Sequence, residues 1–240
     1  LVSNEADLAN DEKIEWILGV SYSEIEESNL KNDDGNYNEP SDPYGPYFSQ
    51  ASSSSNYKSE NFSVFGNLGY FLSETLELSL GMRWEDWQSD YVDTLGDSFN
   101  PSNDMTGGKV SLIKNLEIDA SLFASIAKGY KQGGFNLGLG LESNSSNQNL
   151  LYDPEYLTNY ELGVNSKILD SRINLSAVIF YSDRKDQQVF ISSQVDPSDP
   201  NTFSFLTKNA AEGLNYGLEM NVNMDLNESL YIFANLGLLE

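Results

Sequence analysis

Leu76-Glu77-Leu78-Ser79-Leu80-Gly81-Met82-Arg83-Trp84-Glu85 is the stretch on which the fold turns. Leu76, Leu78, Leu80, Met82 and Trp84 take every second place, and the places between them hold Glu77, Ser79, Gly81, Arg83 and Glu85. A helix turns about 100° per residue and would scatter the five apolar side chains around its axis, whereas a strand puts them all on one face. Nine stretches of the chain alternate in this manner.

Upstream, Ile14, Trp16, Leu18, Val20 and Tyr22 form one such row, and Phe62, Val64, Leu68, Tyr70 and Leu72 the next. Between them runs a polar segment, Glu26 to Lys58, rich in Asn, Asp, Ser, Pro and Gly, which reads as a long solvated loop. Ser73-Glu74-Thr75, in contrast, is a tight hairpin turn. Downstream the reading gives a long loop through Asp90, Asp97 and Pro101, a weak fourth strand near Lys109 to Ile113, and a short turn at Lys114-Asn115. A fifth strand follows with Leu122, Ala124, Ile126 and Tyr130 on its apolar row, running into a Gly-rich segment from Gly129 to Gly140. Four more rows contain Tyr160 to Ile168, Ile173 to Tyr181, Leu214 to Met224 and Leu230 to Leu238. Connections alternate short, long, short, long, so every short turn falls at one rim and every long loop at the other.

That asymmetry belongs to outer-membrane barrels, which join their strands by short periplasmic turns and long extracellular loops. Apolar rows of about 9 to 11 residues are long enough to cross the hydrocarbon when tilted. A soluble β-sandwich, the competing all-β reading, would have loops of similar length at its two ends. Charges are nearly absent from the apolar rows, and Lys128, the exception, sits near an extracellular strand end where it can snorkel to headgroups. Trp16, Tyr22, Tyr70, Trp84, Tyr130 and Tyr181 fall near strand ends on the same rows, where an aromatic girdle is expected. No apolar run approaches the 18 residues of a transmembrane helix, and a mean hydropathy of -0.42 suits a barrel whose strands are apolar at alternate positions only. No signal segment is legible from Leu1 onward, as expected of a processed chain or a fragment.

With no His and no Cys among 240 residues, the chain lacks the usual ligands for zinc, copper or haem, and His-based nucleophilic machinery cannot be assembled. No cofactor and no catalytic residue is expected. Glu85 and Asp86 imitate an acid/base pair, but neighbours on a strand point to opposite faces. A net charge of -24 repels phosphate backbones and argues against nucleic acid as a partner. Asp196-Pro197-Ser198-Asp199-Pro200-Asn201 offers oxygen ligands yet lacks the Gly and terminal Glu of an EF-hand loop, so it reads as a Pro-stiffened turn. Tyr44, Tyr47 and Phe48 place aromatic area in the longest loop, and together with Lys131, Gln132, Phe135 and Asn136 they are the candidate ligand contacts.

The run Ala127 to Asn136 (AKGYKQGGFN) resembles the "GYKSGGFN" segment of TonB-dependent outer-membrane receptors, particularly the iron-complex and pesticin-receptor-like group. Pro154 to Gly163 (PEYLTNYELG), Phe180 to Gln188 (FYSDRKDQQ, with Arg184 where an aromatic is common) and Asn209-Ala210-Ala211 followed by Tyr216 to Glu219 resemble three further segments of that family, in order. The resemblance implies an integral outer-membrane protein of a Gram-negative cell, with a 22-stranded barrel closed around an N-terminal plug. On that reading residues 1–240 are an internal piece of the barrel domain, without plug, TonB-contacting segment or closing strands. It further implies energy-coupled import of a large scarce nutrient, an iron-siderophore complex first, with the TonB complex and outer-membrane lipid as partners. The lack of His weighs against haem as cargo. Passive porin-type diffusion and a soluble carbohydrate-binding module are the competing functions.

Overall fold

The computed structural model describes residues 2–7, 13–37, 47–116, 119–137, 150–168, 172–194, 198, 203–227 and 229–240. Its strands are β1 (Val2–Asp7), β2 (Lys13–Tyr37), β3 (Tyr47–Ser73), β4 (Leu76–Asp93), β5 (Ser98–Phe99), β6 (Ser102–Leu116), β7 (Ala120–Lys131), β8 (Gly134–Phe135), β9 (Leu151–Tyr152), β10 (Glu155–Ile168), β11 (Ile173–Gln194), β12 (Phe203–Asn227) and β13 (Leu230–Leu239). All but β5, β8 and β9 pair with their neighbours in one antiparallel path, β1-β2-β3-β4-β6-β7-β10-β11-β12-β13. β5 pairs with β4, and β8 with β9 in a small separate ribbon.

Burial in this sheet is inverted relative to a soluble domain. Leu18, Val20, Met82, Leu162, Ile179 and Leu236 are exposed, while Ser63, Glu85, Ser89 and Ser125 are buried. Polar side chains therefore cover one another on the inner face, and the apolar row faces outward, as hydrocarbon requires.

The register fixes where that hydrocarbon ends. One rung of the ladder runs Leu18–Gly66–Met82–Gly108–Lys128–Thr158–Asp183–Leu214 across eight strands. The last apolar outward residue lies two steps above this rung on β2 (Tyr22, then Glu24) and one step above it on β4 (Trp84, then Asp86). On β7 and β11 it lies one step below, at Ile126 and Tyr181. From β2 to β7 the boundary thus drops across the rungs, as strands tilted to the membrane normal produce, and on β10 and β12 it rises again, to Tyr156 one step above the rung and Leu214 on it.

Several expectations from the sequence are corrected. The segment Glu26 to Lys58 is not simply loop: β2 and β3 stay paired from Glu26↔Lys58 to Tyr37↔Tyr47. The ribbon rises beyond the apolar belt, so neither face meets hydrocarbon and its residues carry no apolar alternation, and Ser28–Asn56, Ser52–Asn32 and Lys58–Glu24 contacts tie it instead. At about 3.3 Å per residue the 25 residues of β2 extend ~80 Å, far beyond an apolar belt of about 25 Å. The weak fourth strand is β6, 15 residues long, whose Gly107-Gly108 pair interrupts the pattern. β1 adds a tenth strand whose short sequence shows little periodicity. Tyr130 does not join the girdle. Pairing of β6 with β7 stops at Gly108–Lys128, and Tyr130 turns to the inner face, where its hydroxyl donates to Glu85 Oε2 at 2.9 Å.

Candidate functional site

Two structures stand on the inner side, at and above the outer end of the apolar belt. The lower one centres on Glu85. Arg83, two residues away and hence on the same face, contacts it at 2.6 Å, Asn61 Nδ2 donates to it at 2.6 Å, and Arg83 Nε also donates to the Tyr130 hydroxyl at 3.1 Å. The Arg83 guanidinium lies 5.7 Å from the centre of the Phe65 ring. Gly107 leaves room for this arrangement: a Cβ there would stand 3.1 Å from the Tyr130 ring and 2.8 Å from the Lys128 carbonyl oxygen. Every charge in the cluster has a partner, so it forms a neutralised polar wall and not an acid/base pair.

Above it, the segment after β7 folds across the sheet. Phe135 stacks on Phe99 at 4.9 Å and meets Tyr91 at 5.2 Å and Tyr57 at 6.2 Å, with Leu150 and Leu206 completing the cluster. These residues come from β3, β4, β5, β8 and β12 and from the approach to β9, so one ring links both sides of the sheet. Burial pushes the Tyr91 and Tyr152 phenols above the usual tyrosine range. Asn136 completes the bridge by acting as a strand residue: its Nδ2 donates to the carbonyls of Thr207 (2.9 Å) and Leu150 (3.0 Å), and its Oδ1 accepts from Thr207 N at 2.7 Å.

The four segments singled out in the sequence meet beside this bridge. Gln188 Nε2 donates to the carbonyls of Gln132 and Asp153, its backbone N–H donates to Glu155 Oε2, and Arg184 pairs with Glu155 at 3.1 Å. Asn209 Nδ2 donates to the carbonyls of Asp153 and Asp186. Asp186 is left-handed (φ 53°) at the bulge where β11 and β12 shift register, so Asn209 clasps the strained turn. Gly133 and Gly134 are buried, and a Cβ at either would come within 2.5 Å of Tyr152. At Gly133 the clash is with the Tyr152 carbonyl, so only glycine lets the chain pass there, whereas at Gly134 it is with the hydroxyl end of the Tyr152 ring.

Of the candidate contacts, Phe135 and Asn136 are brought together with this cluster, and Gln132 joins it through its carbonyl. Lys131 ends β7 as an exposed residue paired with Glu155 across the ladder. Tyr47 and Phe48 start β3, opposite Tyr37 and Asn36. Tyr44 lies outside the described residues, as does the Asp196 to Asn201 turn except for Ser198. Tyr57, Tyr91, Phe99, Glu155, Gln188 and Asn209 were not among the candidates. The last three sit inside the resembling segments, which was the available signal; the aromatic trio is scattered over three strands and gave none. No group of His, Cys, Asp or Glu able to hold a metal ion occurs among the described residues.

The family model for the β-barrel of TonB-dependent receptor-like proteins matches residues 3–239. The chain belongs to the TonB-dependent receptors. Members are integral proteins of the Gram-negative outer membrane and form a family of transporters, not enzymes. A probable TonB-dependent siderophore receptor, PiuA of Acinetobacter baumannii, is 25% identical over 147 residues, covering 59% of this chain and 19% of its own length. The pesticin receptor of Yersinia enterocolitica is 26% identical over 163 residues, covering 64% of this chain and 22% of its own. The chain thus spans about a fifth of the length of the curated relatives it matches. Among solved structures, the open form of the ferric-catecholate import receptor Fiu of Escherichia coli K12 superposes with a TM-score of 0.65 at 12% identity, over 99% of this chain and 34% of that one. That likeness speaks for the fold alone.

Proposed function

We propose that this chain is part of the wall of a 22-stranded, plugged barrel that imports a large scarce nutrient with energy delivered through TonB, and that the nutrient is an iron-siderophore complex. The observation that carries the reading is the bridged inner face. A passive pore gains nothing from a segment folded across its mouth and tied to five strands, whereas a receptor needs a rigid, amphipathic vestibule to hold a bulky cargo. Siderophore cargo is favoured by the relative from Acinetobacter baumannii. In this reading Tyr47, Phe48, Lys131 and Gln132, with Tyr44 between β2 and β3, contact cargo, while Phe135 and Asn136 hold the vestibule in shape.

The test is growth of an iron-limited Gram-negative strain that lacks its own siderophore receptors and carries the full-length receptor gene, fed a panel of ferric siderophores. Growth on one of them that disappears when TonB is deleted is the expected result. Growth that persists without TonB would favour the porin reading, and failure with every ferric siderophore would overturn the cargo.

A further inference from the structure

The outward face carries a groove that the transport reading does not use. It has a volume of about 940 Å³ and follows the rung Leu18–Gly66–Met82–Gly108–Lys128. Two of the five positions are glycine, so the wall is indented on either side of Met82 where a barrel would otherwise present side chains to lipid. Because the apolar boundary drifts across the rungs, the groove also slopes. Its Lys128 end sits at the top of the belt on β7, and its Leu18 end sits two steps below the top on β2. Four interstrand gaps of about 4.8 Å make it ~19 Å long, close to the ~15 Å that the acyl chains of one leaflet span.

We propose that this groove is a binding site for an anionic lipid of the outer leaflet, with one acyl chain along the glycine-indented rung and the headgroup phosphate at Lys128. Charge selects this occupant. Lys128 is the only charged residue at the surface of the groove apart from inward-facing Lys109, and it is exposed beside the Tyr156 ring, its Nζ 4.5 Å from the ring centre. Elsewhere the outward row leaves the belt at Glu24, Asp86 and Asp183, which repel a phosphate. An anionic headgroup is therefore favoured at the Lys128 mouth of the groove and repelled at its Glu24 and Asp86 side, while beyond Asp183 the exposed Lys185, paired with Tyr156 in the ladder, adds a second cation on the Lys128 side. The uncharged lipid tail supplies contact area, and the ammonium supplies the preference.

Trp84 and Trp16 both line the groove and report on it. The full-length receptor is reconstituted in phosphatidylcholine vesicles in which a fraction of the lipid is brominated phosphatidylglycerol or, in parallel, brominated phosphatidylcholine. Quenching of Trp84 is read as the difference between the unaltered protein and Trp84→Phe. We expect about fivefold stronger apparent binding of the anionic quencher, the worth of one lysine near an anionic surface. The preference should vanish in Lys128→Gln, survive in Lys128→Arg, and collapse in the unaltered protein at high salt. Equal quenching by the two lipids in the unaltered protein, which is what non-selective annular lipid gives, would overturn the site. So would a preference that ignores salt or survives Lys128→Gln.

Discussion

Asn209 and Asp153, 56 residues apart, are joined in both directions: the Asn209 amide donates to the Asp153 carbonyl at 2.8 Å and accepts from the Asp153 N–H at 2.6 Å. A side chain on β12 thereby does for the strand leading into β10 what a neighbouring strand would do, and its second donor reaches the Asp186 carbonyl on β11. Asn209→Ala removes all three bonds and should cost about 1–3 kcal/mol, felt locally. Hydrogen exchange on the full-length receptor should show residues 132–137 and 150–155 losing protection while β4 and β6 keep theirs. Unchanged protection around Asp153 would show the clasp to be incidental.

Asp186 supplies a second check on the same knot. At φ 53° it occupies a conformation that glycine adopts freely and β-branched residues resist. Asp186→Gly should be tolerated, and Asp186→Val should cost about 1–3 kcal/mol in denaturant titration of the reconstituted receptor. Val tolerated as well as Gly would mean that the bulge relaxes without cost.

The barrel wall was legible because lipid imposes a period of two: every row from Ile14 to Leu238 that faces hydrocarbon announced itself. Where that constraint ends, so did the signal. The ribbon from Glu26 to Lys58 is as regular in backbone as β4, yet with no hydrocarbon against either face its residues are free to be Ser, Asn or Asp. Tyr130 misled for a related reason, since parity predicts a side chain's face best while a strand is paired on both sides, and β7 leaves β6 at Lys128 while only β10 follows it to Lys131. The knot was half legible. Its segments stood out one by one through the family resemblance, but that Gln188 and Asn209 close on Asp153 is set by a register shift that no local pattern encodes.

Phe135 is the keystone of the vestibule. Phe135→Ala removes its contacts with Phe99, Tyr91 and Tyr57 and should destabilise the bridge by about 2–3 kcal/mol. The ladder beneath is independent of that ring, so thermal unfolding of the full-length barrel should barely move. If the bridge shapes the cargo site, the half-saturating cargo concentration for uptake should rise while the maximal rate is retained. Loss of maximal rate with unchanged half-saturation would contradict that role.

The outer ribbon should depend on pH in a bell shape. A hydrogen bond from the Tyr22 hydroxyl, with Lys58 beside it, holds the Glu24 carboxyl below the usual carboxylate range. Such a group stabilises fully above the ordinary carboxylate pKa, and its contribution is lost as pH falls through the lowered value. Lys58 runs the other way: Glu24 and Glu60 raise it, so its contribution is full below the ordinary lysine pKa and lost as pH rises through the raised value. These groups are solvated, and the effect is local. Amide protection around Glu24 to Glu27 and Tyr57 to Glu60, corrected for intrinsic exchange, should peak between the two limits. A flat profile would show that the backbone ladder alone holds the ribbon.

The two faces of β4 offer the most direct test of the wall itself. Leu80 is the midpoint of the outward row from Leu76 to Trp84, whereas Ser79 faces inward with its hydroxyl 3.3 Å from Asn67 Oδ1. An arginine near the bilayer midplane must sit in hydrocarbon or distort the membrane around it; on the inner face it meets water and polar neighbours. Leu80→Arg should therefore cost about 2–4 kcal/mol and Ser79→Arg much less. Folding both full-length variants into lipid vesicles and titrating with denaturant measures the difference, and a loss for Ser79→Arg equal to or larger than that for Leu80→Arg would reverse the assignment of faces on this strand.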